Sequence, residues 1–529
     1  MTRSVCNIVR IGAMERRSKI AQFAHSTKGS IAVLWAMSLV VLLGLVALSF
    51  DFGRMASTQA ELQSYADHVA LAAGGELDGK SDAITRAQAA AANLVSDSQT
   101  FAEGVRALSG DTNYTLSFHS SLPSSDLSAV GSTTTDPALA SYVRVLVNTR
   151  NVRYTFYSAF NALLDGTTPA DAQVNAVAVA GYTQYACDVT PLMFCLPEVP
   201  FPAEDNVGRL IQLRSGGNGA GAWGPGDFGF LLPLGSGYDI SSVIDDEGAC
   251  SGLSSAVQIA SCIMGAYGNL ARCYSTRGVD VMTGQGNGLT SAAFNTRFDL
   301  YRATMTGERN VADFAPAPNV IKGIIPNGGG SCIGNRERPS PTSMGLPRDN
   351  CFYPFPGTCT NRVGSGNWSD NCNAYFQTNY VDNGVAIPAW AAGACTWDPL
   401  AGEMGMTRWE VYKAEIDAAG GLASTTPLLN SPDETGRGSC SSQPQIQDYD
   451  RRMVIAAGID CVSHPINGRA TDVPVEEYYK VFMTEPVGDD GTTPPNVDIW
   501  GEIIGSAGGS GAGSGGLGSV FHDVVQLYR

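Results

Sequence analysis

From Ile31 to Phe50 the chain carries twenty uncharged, almost wholly apolar residues, IAVLWAMSLVVLLGLVALSF. Rising about 1.5 Å per residue, a helix of this length spans about 30 Å, the thickness of a bilayer's hydrocarbon core. Beyond it, Leu62, Tyr65, Ala66, Val69, Ala70 and Ala73 recur at helical spacing, while Gln59, Glu61, Gln63, Asp67 and His68 fall on other faces. The first proline is Pro123, and Gly74-Gly75 supplies a stop signal. One helix is therefore predicted from about Ser30 to Ala73, projecting about 35 Å past the membrane. Its narrow, Ala-rich stripe suits close packing, on the protein's own domain or on a partner.

The pattern then predicts a second amphipathic helix from Ser81 to Leu108, rich in Ala and free of Gly until Gly104. Tyr114–Phe118 alternates, Tyr142–Val147 is β-branched, and Val174–Tyr182 alternates Val and Ala with polar residues, so three strands are expected. A short helix near Tyr157–Leu164 separates the last two, and Ser120–Pro137 reads as a loop. From Cys187 to about Cys395 the chain is dense in Gly, Pro, Asn and Cys, and regular elements are hard to place. Further on, a helix at Arg408–Ala418 and strands at Met453–Asp460, Tyr478–Met483 and Val497–Ile503 are predicted. Gly505–Gly518 is a Gly/Ser/Ala tract broken only by Leu517, which reads as a linker before a short C-terminal segment.

Charge orients the apolar run. Arg3, Arg10, Arg16, Arg17, Lys19 and Lys28 precede it against the single acid Glu15, whereas Asp51, Glu61 and Asp67 follow it with only Arg54 nearby on the basic side. The positive-inside rule places the N-terminus in the cytoplasm and residues 51–529 across the membrane. Trp35 lies near one predicted interface, and Phe50 and Phe52 near the other. The rival reading is a secretory signal cleaved near Ala47-Leu48-Ser49, but the apolar run exceeds the usual h-region of about 7–15 residues. Both readings export the same domain. Subtracting six basic residues and one acid from the chain's 33 and 50 leaves 27 against 49, a net of −22 on the far side. No basic stripe survives there, which argues against nucleic acid or anionic lipid as a partner.

The cysteines follow the same division. Cys6 falls on the cytoplasmic side, and the other twelve are Cys187, Cys195, Cys250, Cys262, Cys273, Cys332, Cys351, Cys359, Cys372, Cys395, Cys440 and Cys461. An even dozen in an oxidising compartment fits up to six disulfides, each worth about 2–4 kcal/mol. Metal binding is the alternative, but the chain has no Cys-x-x-Cys pair.

Candidate chemistry is sparse. His25, His68, His119, His464 and His522 form no HExxH pair. Gly284-Gln285-Gly286-Asn287-Gly288 lacks the Lys-Ser/Thr ending of a phosphate loop. Near misses to Gly-x-Ser-x-Gly at Ser510 and Ser514 fall in the low-complexity tract. Asp126-x-Ser128 and Asp460 depart from the Asp-x-Ser-x-Ser cation motif. Asp489, Asp490, Asp498 and Glu502 offer oxygens to calcium, with solvated loop acids and strand acids as the plainer explanation. No catalytic, cofactor-binding or metal residue is assigned, and no cofactor is expected.

Gly29-Ser30-Ile31-Ala32, the apolar span, Asp51-Phe52-Gly53-Arg54, Leu62-Gln63 and Ala66-Asp67-x-x-Ala70-Leu71-Ala72-Ala73 together resemble the N-terminal region of TadE/TadG-like Flp pilus-assembly proteins. Segments at Cys187–Cys195, Pro225–Gly229, Asn295–Asp299 and Arg451–Cys461 are similar to longer members of that group. The resemblance implies a single-pass inner-membrane protein of a bacterial tight-adherence system, with its bulk in the periplasm and a non-enzymatic role in assembling or anchoring pili. Partners would be the inner membrane and other pilus-assembly or pilin-like proteins, and a homo-oligomer is compatible with this. Leu34 stands where processed pseudopilins of the system carry Glu, and the von Willebrand A cation motif is absent. The alternative functions are a secreted or surface adhesin-like structural protein and, behind it, an exported hydrolase.

The expected fold is α+β: a transmembrane helix continuing into a long helix, then an α+β module and a loop-rich, disulfide-containing region. The expected segments are a basic leader (1–28), transmembrane and juxtamembrane helix (29–75), α+β module (76–186), Cys/Gly/Pro-rich exported domain (187–504) and linker with tail (505–529).

Overall fold

A computed structural model describes residues 30–528 apart from 124–130, 132, 165, 167–169, 188, 216–221, 233–261, 268–273, 276–277, 283–286, 321–322, 328–331, 334–336, 355–356, 398–404, 425, 427–439, 490–496 and 509–520. Cys6, the Asp126 motif, Gly284-Gln285-Gly286, and the Ser510 and Ser514 near misses all lie outside the described residues. The chain divides into two compact units, Met1–Tyr182 with Val525–Arg529, and Thr183–Val524.

In the first unit the apolar run and the helical stripe form one helix, α1 (Ser30–Gly74). Among the described residues it is the one helix long and apolar enough to cross a membrane. The next helix, α2 (Ala83–Leu94), is less than half as long as its composition predicts. After it the chain turns extended at Val95, and β1 (Ser96–Ser98) pairs antiparallel with β2 (Ala107–Ser109). The connecting loop is held by Gln99, whose side chain accepts from Ala102 N (2.7 Å) and donates to the Ala102 and Val105 carbonyls. Such loop-specific bonds compete with helix and leave no periodic trace.

The three expected strands are present as β3 (Tyr114–His119), β4 (Tyr142–Val152) and β5 (Ala172–Ala186), with α3 (Phe156–Leu164) between the last two. They pair antiparallel in the order β3-β4-β5, with a register shift in β4 between Val147 and Arg150. The sheet's inward residues Val143, Val145, Val147, Ala176, Ala178 and Ala180 are buried, in one cluster with Leu62, Tyr65, Ala66, Val69, Ala70 and Ala73 of α1 and Ala87 and Ala91 of α2. The Ala-rich stripe therefore packs on the protein's own module. Small side chains on both faces allow the backbones to approach closely. His119 is buried in the same unit between Ser117 Oγ (2.9 Å) and the Gly131 carbonyl (2.7 Å), a structural role.

The second unit begins within β5 and continues through β6 (Leu192–Cys195), β7 (Leu210–Ser215), β8 (Asp227–Leu232), β9 (Tyr274–Ser275) and β10 (Val279–Val281). A hairpin of β11 (Ile324–Pro326) and β12 (Glu337–Pro339) follows, then β13 (Met453–Ile459), β14 (Ala470–Val473), β15 (Glu477–Met483), β16 (Gly488–Asp489), β17 (Val497–Ser506) and β18 (Phe521–Leu527). Its helices include α4 (Asn287–Asn295), α5 (Ser369–Asn379) and α6 (Arg408–Ala418).

Six of these strands close on themselves. β8 pairs with β6, β6 with β13, β13 with β15, β15 with β17, β17 with β7, and β7 returns to β8. The β6–β13 and β7–β8 ladders are parallel and the other four antiparallel. Alternate residues point inward, so Leu192, Phe194, Ile211, Leu213, Phe228, Phe230, Val454, Ala456, Val481 and Ile499 form one apolar cluster. Closure gives each of the six strands a partner on both sides, which suits a domain with long irregular connections.

Candidate functional site

Asp51 is the first charged residue after the apolar run, and the helix buries it to 2 % exposure. An isolated carboxylate there would be costly to bury. Its Oδ1 accepts from Thr155 N (3.1 Å) and its Oδ2 from Tyr157 N (2.6 Å), the backbone amides at the start of α3. The acid thus caps a helix from more than a hundred residues away, meeting two otherwise orphaned amides and the positive end of the helix dipole.

Arg54 lies one turn on, 3.9 Å from Asp51 Oδ1, and donates through Nη1 to the Arg153 carbonyl (3.2 Å) and Thr155 Oγ1 (2.5 Å). Its guanidinium also stands 5.6 Å from the centre of the Phe101 ring. Further along α1, Gln59 donates to the Asn175 carbonyl (2.9 Å) and Gln63 to the Val177 carbonyl (3.0 Å) and to Asp67 (2.8 Å). Glu61 receives Thr100 N and Oγ1 at 2.9 and 2.7 Å. Arg54, Gln59, Glu61 and Gln63 each meet a matched group in the module, so the helix is fixed in rotation as well as position.

The same alignment reaches down into the apolar run. Ala47 is buried there, and Gly44 lies where an added Cβ would come within 2.9 Å of Phe160 Cζ. The glycine lets the α3 ring lie against the helix backbone. Phe50 and Phe156 rings meet at 5.4 Å. The α3 helix therefore runs beside the last two turns of the span.

In the second unit a cleft of about 290 Å³ is lined by Arg302, Glu337, Tyr353 and Glu485 among others. Its charges are spent on one another: Arg302 pairs with Glu337, and Arg348 with Glu485 (2.5 Å). Burial pushes the Glu485 carboxyl up, and the Arg348 guanidinium pulls it back. Among the described residues no three His, Cys, Asp or Glu side chains gather to hold a metal ion. Two of the four acids offered to calcium have other partners, and the side chains of Asp489 and Asp490 are outside the described residues: Asp498 accepts a bidentate pair of bonds from Arg214 (2.7 Å each), and Glu502 is bound by Arg408.

Among the described residues this unit is tied by the disulfides Cys195–Cys461, Cys332–Cys440, Cys351–Cys359 and Cys372–Cys395, with Cα separations of 4.6–5.4 Å. Cys187 and Cys262 are also disulfide-bonded, while Cys250 and Cys273 lie outside the described residues. The Cys195–Cys461 bridge joins neighbouring strand ends of the ring, where Ile459 pairs with Cys195.

Sequence reasoning missed one fully buried ionic cluster. Arg408 lies between Asp349 Oδ1 (2.5 Å) and Glu502 Oε1 (2.9 Å), donates Nε to the Pro347 carbonyl (2.6 Å), and sits over the Trp368 ring. Glu502 also accepts from Arg408 N and Trp409 N, so it caps α6 much as Asp51 caps α3. These partners are far apart in sequence, and no spacing rule links them.

The residues with the densest network on α1, Asp51, Arg54, Leu62, Gln63, Ala66, Asp67, Ala70 and Ala73, fall within one recognisable segment. Residues 29–76 match the family model of putative Flp pilus-assembly TadE/G-like proteins. The TadE/G-like segment thus comprises the span and the face by which it grips its module. No curated protein and no solved structure matches the chain.

Proposed function

We propose that this protein is a membrane-anchored component of Flp pilus assembly, acting as an assembly or anchoring element rather than an enzyme. The observation that carries the reading is the TadE/G-like match over residues 29–76, which coincides with α1. In this reading Ile31–Phe50 crosses the bacterial inner membrane once, the basic leader stays in the cytoplasm, and the chain beyond the span lies on the periplasmic side. The basic bias before Ile31 supports that orientation, and disulfides throughout the second unit fit an oxidising compartment. A span locked to its module by Asp51, Arg54, Gln59 and Gln63 holds the periplasmic domain at a fixed height and rotation above the bilayer. That is what a scaffold for other membrane-inserted subunits requires.

The test is genetic and biochemical. Deleting the gene should abolish or sharply reduce Flp pili, the intact gene should restore them, and affinity capture of the full chain should bring other pilus-assembly components. Normal piliation in the deletion strain would overturn the proposal.

A further inference from the structure

Where α1 leaves the apolar run, a cleft of about 410 Å³ opens between Ser49, Phe50, Gly53, Arg54 and Phe101. We infer that this cleft holds a membrane glycerophospholipid, its phosphate on Arg54 and its upper acyl carbons against Phe50 and Phe101. The inference rests on the reading that Ile31–Phe50 spans the membrane, and it adds a ligand to that anchor.

Three features of the first unit converge on a lipid. Depth comes first: Phe50 ends the span, so the cleft stands at the level of the headgroups, where a guanidinium above aromatic rings matches phosphate above acyl chain. Second is the chemistry of Arg54. Its Nη1 is committed to Asp51, Thr155 and the Arg153 carbonyl, which holds the guanidinium plane in place. Nε and Nη2 make no bond among the described residues, and the side chain is 25 % exposed. Asp51 faces Arg54 only through Nη1, at 3.9 Å, while its two oxygens accept from the amides of α3. A fixed guanidinium edge with two donors free matches the bidentate geometry of a phosphate.

The third feature is the apolar rim. Phe50, Phe101 and Phe156 are exposed by 39–58 %, unusual for three large rings at one end of a module, with Phe50 lining the cleft beside Phe101 and its ring 5.4 Å from Phe156. The α3 helix carries no charged residue. Its outward positions are Phe156, Ala159 and Ala162, while Phe160 faces Gly44 within the span. Gly44 lies six residues before Phe50, about 9 Å along the helix, so α3 itself sits at acyl depth. A water-facing helix would not expose that side; an interfacial one does.

Native mass spectrometry of the full-length protein, extracted from its own membrane in mild detergent, tests this directly. We expect one retained phospholipid per chain, about a tenfold loss of occupancy in Arg54→Gln, equivalent to one charge-assisted bond, and no change in Arg106→Gln. Phe101→Ala keeps the Asp51–Arg54 pair and should also release the lipid, which covers the case that Arg54→Gln unfolds. A photo-crosslinker at position 101 should label phospholipid in intact membranes. Displacement of the adduct by inorganic phosphate would make this a free-anion site and overturn the lipid assignment. Crosslinks to protein alone, or adducts indifferent to both variants, would also overturn it. Extraction by alkaline carbonate separates the two failures. A protein that stays in the membrane yet holds no lipid defeats this inference alone, whereas one that washes off defeats the anchor and the lipid site together.

Discussion

Buried carboxylates at Asp51 and Glu502 do the same job in different units: each caps a helix that begins far away in sequence and balances an arginine. Replacing Asp51 by Ala should cost about 1–2 kcal/mol for the lost cap, with a further penalty from the unbalanced Arg54. Hydrogen exchange over residues 155–164 should accelerate in that variant and much less in Asp51→Asn, which keeps a side-chain acceptor. Equal exchange in all three proteins would show that α3 is held by its rings alone. Glu502→Ala should be harsher, because Arg408 is fully buried and loses one of its two counter-charges. About 3–5 kcal/mol of stability should disappear, read as a fall in the denaturant midpoint. At both positions the sequence displays an acid after an apolar stretch or within a strand, and nothing in its spacing names the arginine or the amides. That part of the molecule was not legible.

The long helix is the element the sequence announces most clearly. Its apolar run, its stripe from Leu62 to Ala73 and its stop at Gly74-Gly75 agree with α1 to within a residue. The stripe's spacing favours packing on the protein's own domain over packing on a partner, and Ala66 and Ala70 are fully buried against the module's own sheet. Ala66→Glu should therefore lower abundance, not merely piliation, since a charged side chain has neither room nor solvent there. Protein level by immunoblot decides it: normal abundance would mean the face is not packed as described. The helix expected over Ser81–Leu108 stops at Leu94 because the next residues satisfy one another in a hairpin around Gln99. Local periodicity reports which face is apolar, not which of two hydrogen-bonding schemes wins.

At the scale of the whole chain, the α+β class was legible and the closed ring was not. Each of β13, β15 and β17 is visible as an apolar run, but the other half of the ring, β6, β7 and β8, lies more than two hundred residues earlier. Pairing over such distances is set by tertiary packing that a linear pattern does not record. The Cys195–Cys461 bridge closes a separation of 266 residues, and by chain entropy it is worth up to about 5 kcal/mol. Changing both cysteines to Ser should lower the unfolding midpoint of the second unit more than changing Cys351 and Cys359, which are only 8 residues apart. Equal effects in calorimetry would count against a loop-closure role.

The central claim is that one span carries the chain beyond it across the membrane and holds it there. A reporter active only in the periplasm, fused after Gly75 and separately before Gly29, tests it most directly. The account predicts activity from the first fusion and none from the second, with the product retained in the inner-membrane fraction. Activity from the fusion before Gly29, or silence from the fusion after Gly75, would contradict it.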